Sequence, residues 1–118
     1  MPNQHIALDN VFHALADPTR RAVLQRLSQG PASVKELAEP FEMALPSFLQ
    51  HLKVLETGGL IRSRKIGRVR TCEIEPEPLT SAEAWIAQQR SIWEGRLDRL
   101  GAYLNALQSK DGNDGKEA

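Results

Sequence analysis

The sequence predicts a mainly α fold of the α+β class: short helices, one basic β-hairpin and a long terminal helix. Three observations predict it. Proline and glycine cut the first half into four short segments of helical periodicity. Between Leu60 and Ile74 the pattern changes to that of paired strands. From Thr80 to Leu107 an apolar repeat then runs on without a proline. A length of 118 residues suits one domain, and a hydrophobic fraction of 41% suits a folded one.

Ile6, Leu8, Val11, Phe12 and Leu15 recur at near-helical spacing and predict a first helix ending near Ala16. Asp17-Pro18 restarts the chain, with Asp17 as N-cap and Pro18 at the first helical position, where a missing N–H costs nothing. Val23, Leu24 and Leu27 form the inner face of this second helix, and Gly30-Pro31 stops it. Ser33 with Glu36 predicts a capping box for a third helix, which Pro40 breaks. A fourth begins around Pro46 and runs to Glu56, ended by a left-handed turn at Gly58-Gly59. Strands are expected near 60–64 and 69–74, with Gly67 at positive φ in the turn, giving a two-stranded hairpin. Glu75 to Pro78 reads as a linker, and Thr80 with Glu83 as a second capping box. In the final helix Ile86, Trp93, Leu97, Leu100, Leu104 and Leu107 make a heptad-like seam along roughly 42 Å. The tail from Ser109 is polar and glycine-bearing and is expected to fray.

Charge balances overall, with 15 Lys+Arg against 15 Asp+Glu, but it is unevenly placed. Residues 61–75 hold five basic and two acidic residues, whereas 1–60 hold five and six and 76–118 hold five and seven. The one cysteine, Cys72, excludes an intramolecular disulfide and a thiolate zinc cluster. No signal-peptide pattern or apolar run of membrane-spanning length occurs, so a cytoplasmic chain without membrane partners is expected. No Ser-His-Asp set, paired carboxylates or glycine-rich phosphate loop can be assembled, so no enzyme and no cofactor are expected.

Two helices joined by a tight turn and followed by a basic hairpin is the layout of a winged helix-turn-helix. A helix of this kind fits the major groove, and an adjacent arginine-bearing hairpin reaches neighbouring phosphates or the minor groove. On a helical wheel Phe48, Leu52 and Leu55 face the core, while Pro46, Ser47, Gln50, Lys53 and Val54 face away with His51 on the flank. Gln50 carries the donor and acceptor that read adenine, Ser47 suits a base or a phosphate, and Lys53 suits a phosphate. Arg62, Arg64, Lys65, Arg68 and Arg70 place five positive charges within nine residues of the hairpin, a density that favours phosphate contact over a merely solvated face.

Several motifs carry a family resemblance: Ala14-Leu15-Ala16-Asp17-Pro18-Thr19-Arg20-Arg21, Val34-Lys35-Glu36-Leu37-Ala38, and His51-Leu52-Lys53-Val54-Leu55-Glu56-Thr57-Gly58-Gly59-Leu60-Ile61 before the basic wing. Over residues 8–75 the chain resembles the ArsR/SmtB family of bacterial transcriptional repressors. The resemblance implies a homodimer on a pseudo-palindromic double-stranded DNA operator, with the first and last helices as the dimer interface. Leu8, Phe12, Trp85, Trp93, Leu97, Leu100 and Leu104 are its candidate residues. Length, pattern and resemblance together lead us to expect one domain over 1–108, with 1–16 and 79–108 as dimerisation helices, 33–57 as the helix-turn-helix and 60–75 as the wing, then a flexible tail at 109–118.

The chain departs from the family pattern where many members carry serines, having Ala44 at the recognition-helix entrance and Leu49 at a position that faces DNA. Leu49 either touches a thymine methyl or extends the core. The stretch Glu36–Pro40 lacks the Cys-x-Cys pair of family sensors of soft metals, and no histidine follows His51, so neither family metal site is expected. His51 is read as a DNA contact or recognition-helix support, with plain packing as the alternative. Cys72 is read as structural, with redox sensing as the alternative. Trp85 and Trp93 are read as interface anchors, with an organic effector between the terminal helices as the alternative. A winged-helix module that binds protein instead of DNA is the competing class.

Overall fold

The computed structural model describes the backbone of residues 3–116 and the side chains of residues 7–108. In chain order the elements are α1 (Asn3–Leu15), α2 (Pro18–Leu27), β1 (Ala32–Ser33), α3 (Val34–Ala38), α4 (Leu45–Thr57), β2 (Ile61–Ile66), β3 (Val69–Ile74) and α5 (Glu77–Lys116). Two compact units result, one ending at Glu83 and the other beginning at Ala84, so the boundary falls inside α5.

Local signals set most helix ends. The Asp17 carboxylate accepts the Arg20 N–H at 3.1 Å, capping α2 with Pro18 in its first turn. At α3 both halves of the capping box form: the Glu36 N–H donates to Ser33 Oγ and the Ser33 N–H to Glu36 Oε1, each at 3.1 Å. Helix α4 has Pro46 in its first turn, but its N-cap, Ala44, offers no side-chain acceptor. At the other end Gly58 donates to the Val54 carbonyl at 3.0 Å and Gly59 turns at φ +72. A Cβ on Gly58 would stand 3.1 Å from the Asn10 carbonyl oxygen, so α1 passes close to the end of α4 and a side chain there would crowd it by a few tenths of an ångström.

The sheet has three strands in the order β1-β3-β2, where the sequence predicts a two-stranded hairpin. Strand β1 pairs antiparallel with β3 through Ala32↔Cys72 and Ser33↔Thr71. Two residues between Pro31 and a helix cap carry no periodicity, so only the tertiary pairing reveals them. Strands β2 and β3 pair from Ile61↔Ile74 to Ile66↔Val69, with Gly67 at φ +64 in the turn as expected.

Helix α5 starts at Glu77, earlier than the expected Thr80. The Pro76 carbonyl accepts the Leu79 and Thr80 N–H groups at 3.0 and 3.3 Å, so Pro78 occupies the first turn and Thr80 is inside the helix instead of capping it. A proline pair thus begins this helix, and the stretch read as a linker is its first turn. The backbone stays helical to Lys116, past the expected end near Leu107. Of the expected tail, the side chains from Ser109 onward and residues 117–118 lie outside the described residues.

The core of the first unit joins Val11 and Ala14 of α1, Val23, Leu24 and Leu27 of α2, and Leu37 of α3 to Phe48, Leu52 and Leu55 of α4. Leu60, Ile61 and Cys72 bring the sheet in, and Ala82 closes one side from α5. The wheel assignment for Phe48, Leu52 and Leu55 holds, and Val54, expected to face outward, is half-buried against the same core. From Ala84 onward the second unit presents Trp85, Ile86, Trp93, Leu97, Leu100, Leu104 and Leu107 exposed on the helix surface.

Candidate nucleic-acid interface

Because Phe48, Leu52 and Leu55 anchor one side of α4, Ser47, Gln50 and Lys53 stand exposed on its other faces. Leu49 is exposed too, at 37%, and Leu45 at 55%, so Leu49 does not extend the core.

His51 is held from behind. Arg20, only 8% exposed, donates from Nε to the Ala14 carbonyl at 2.8 Å and from Nη2 to the His13 carbonyl at 2.8 Å, closing the C-terminal end of α1. Its Nη1 lies 3.0 Å from His51 Nδ1. A guanidinium can only donate, so Nδ1 accepts and the ring proton sits on Nε2. Asp17 lies 3.7 Å from the same Nδ1. Burial pushes the Asp17 carboxyl up, but the Arg20 N–H, the Arg20 charge and the Thr19 N–H outweigh it and hold the group below its ordinary value. Arg20 therefore ties α1, α2 and α4 together behind the exposed face. Sequence reading missed this role, although Arg20, Val23, Leu24 and Leu27 share one helical face, and an arginine there signals a buried hydrogen-bonded cation.

The wing's five cations fall into two groups. Arg62 donates from Nε to Glu73 Oε1 at 3.1 Å and pairs with Glu75 at 3.2 Å, and Arg64 lies 3.5 Å from Glu73. The Glu73 hydrogen bond, then the Glu75 charge, push the Arg62 guanidinium up. The same hydrogen bond and the Arg64 charge hold the Glu73 carboxyl down. Arg70 donates to Glu56 Oε1 at 3.0 Å, and Ser63 Oγ donates to the same oxygen at 2.8 Å. Glu56 lies in the last turn of α4, so this cluster braces the wing against that helix. Lys65 and Arg68, at the tip, are exposed and enter no ion pair among the described residues. Ile66 and Val69 are exposed beside them. Counting charges along the sequence treats the five cations alike and misses the glutamates that pair with three of them.

Cys72 is fully buried in β3, where burial and then the Glu56 charge push its thiol up against the smaller opposing pull of Arg70. Leu8 and Phe12 are half-buried against the core of the first unit. Among the described residues no three His, Cys, Asp or Glu side chains gather as metal ligands, and no helix is long and apolar enough to cross a membrane.

A helix-turn-helix whose second helix offers Ser47, Gln50 and Lys53, followed by a hairpin with a cationic tip, defines a winged helix-turn-helix DNA-binding protein. A family model described as a helix-turn-helix domain matches residues 15–64. The transcriptional regulator Rv2034 of Mycobacterium tuberculosis is 42% identical over 73 residues, 62% of this chain and 68% of that one. The crystal structure of an ArsR family transcriptional regulator is 62% identical and superposes with a TM-score of 0.73, covering 80% of this chain and 94% of that chain. This chain belongs to the ArsR family of winged helix-turn-helix transcriptional regulators. Another similar structure, at 26% identity and TM-score 0.56 over 79% of this chain and 83% of that one, is the homodimeric winged helix-turn-helix DNA-binding domain of Mb0332 from Mycobacterium bovis.

Proposed function

We propose that the protein is a homodimeric repressor that binds a pseudo-palindromic operator without requiring a metal ion. The observation that carries the reading is the exposed face of α4, with Ser47, Gln50 and Lys53, followed by Lys65 and Arg68 at the wing tip, which pair with no carboxylate among the described residues. In a two-fold dimer two such helices, about 34 Å apart, enter successive major grooves while the wing tips meet flanking phosphates. Ser47 and Gln50 then read bases, and Lys53, Lys65 and Arg68 hold phosphates. Arg62, Arg64 and Arg70 contribute mainly by shaping the wing, and His51 supports α4 through Arg20.

Dimerisation is supported by the apolar seam of α5, where Trp93 is 61% and Leu97 60% exposed. Together with Leu100 and Leu104 this is more apolar surface than a monomer in water keeps uncovered. The homodimeric relative described above agrees with it. Trp85, Leu8 and Phe12 complete the proposed interface. Metal independence is supported by ligand chemistry: α3 carries no sulfur, the Cys72 thiol is buried, and no histidine follows His51. A cytoplasmic setting fits the same reading, and release by an organic effector bound at the terminal helices is its variant.

Fluorescence anisotropy against the chain's own upstream DNA tests it, with a scrambled duplex as competitor and with zinc or a chelator added. Sequence-preferring, salt-sensitive binding unchanged by either additive is expected. Binding that responds to metal overturns the metal-independent part, and absence of DNA binding at any salt moves the function to protein interaction.

A further inference from the structure

We infer that Leu49 reads the C5-methyl group of a thymine in the operator's major groove, making the recognition helix a reader of thymine as well as of adenine. The inference rests on the DNA-binding reading above and deepens it. Leu45, Leu49 and Lys53 form one row at i, i+4 spacing along α4, beside the row of Pro46 and Gln50. Lys53, at the C-terminal end of the row, carries the phosphate-seeking charge, and the two leucines stand at the N-terminal half, the part of a recognition helix that meets base edges.

Both leucines are exposed in the free protein, Leu45 at 55% and Leu49 at 37%, although Phe48 between them is buried to 1%. The sequence left two roles for Leu49, core or base contact, and its exposure removes the first. An apolar side chain held at the edge of a polar reading face has one apolar target in the major groove. Only thymine presents a methyl group there, whereas every other base edge presents hydrogen-bonding atoms that a leucine would desolvate without replacing. Gln50, adjacent in sequence, is suited to adenine, so an A·T-rich step gives both side chains a matching partner.

The test uses a duplex selected by the wild-type protein from a random library, then remade with deoxyuridine replacing each thymine in turn, which deletes only the methyl. Anisotropy is measured for wild type and Leu49→Ala. For wild type, one thymine position per half-site should lose about fourfold in affinity on demethylation, and about fifteenfold when both half-sites are changed, the worth of one buried methylene-sized group at each. The Leu49→Ala protein should bind more weakly and lose that sensitivity at the same position, while Gln50→Ala keeps it. Selective binding with no uracil-sensitive position, or with sensitivity that survives Leu49→Ala, overturns the inference and leaves the repressor reading intact. Failure to select any duplex removes that reading itself. Leu49 lies outside the core, so circular dichroism of the variant should match wild type, and a shift there would assign the leucine to packing instead.

Discussion

Replacing Arg68 by alanine removes a cation that no carboxylate among the described residues neutralises, so its effect on DNA binding should appear as a change in salt dependence. Each phosphate contact releases condensed counterions and contributes about 0.9 to the slope of log affinity against log salt. A two-fold dimer loses two contacts, so the slope should flatten by about 1.8. Referred to 1 M salt, the same two contacts correspond to about 30-fold in affinity at 0.15 M, lost equally on specific and scrambled duplexes. Arg62→Ala is the internal control. Its guanidinium is held by Glu73 and Glu75, so it has fewer donors to offer a phosphate, and its slope change should be no more than about half as large. The assay is anisotropy titration at four or more salt concentrations. Equal slope changes for the two variants, or none for Arg68→Ala, would refute the division of the wing into a paired base and a free tip.

Further outcomes follow from the same geometry. Arg20→Ala leaves two α1 carbonyls and His51 Nδ1 without their donor and should cost about 3 kcal/mol, read by urea denaturation at fixed protein concentration; a loss under about 1 kcal/mol would mean water replaces the guanidinium. Leu100→Glu places a charge in the exposed α5 seam and should give monomers by light scattering with weakened operator binding, whereas an intact dimer would show the seam lies elsewhere. Cys72 should resist iodoacetamide at pH 8 in the native protein, because burial favours the neutral thiol, and react once urea unfolds the chain; prompt native labelling would contradict its burial. Gly67→Ala forces a side chain into φ +64 and should cost about 1 kcal/mol while leaving the fold intact, since nothing stands near the added methyl; an unchanged Tm would show that the turn relaxes.

Much of this protein was legible in its sequence because the deciding signals are local. Asp17-Pro18, the Ser33–Glu36 box, Pro46 and Gly67 act within a turn of the backbone they control, and the structure keeps each of them. The inner face of α4 was legible for the same reason, since helical periodicity alone separates Phe48, Leu52 and Leu55 from Ser47, Gln50 and Lys53. The start of the last helix is an exception. At α5, Thr80 and Glu83 match a capping pattern, but Pro76 and Pro78 offer an earlier start and the helix takes it.

What the sequence determined by itself was the order and type of the larger elements, the family, and which residue types sit on the outward side of α4. Tertiary structure decided what depends on residues far apart in the chain. Strand β1 exists only because β3 lies beside Ala32 and Ser33. Arg20 becomes a tie between helices only when the end of α1 and His51 both come within reach of one guanidinium. The wing's charge is divided by Glu56, Glu73 and Glu75, of which Glu56 belongs to another element altogether. Whether a leucine or an arginine is spent inside the protein or left for a partner depends on its neighbours in space, and a linear pattern carries only its neighbours in sequence.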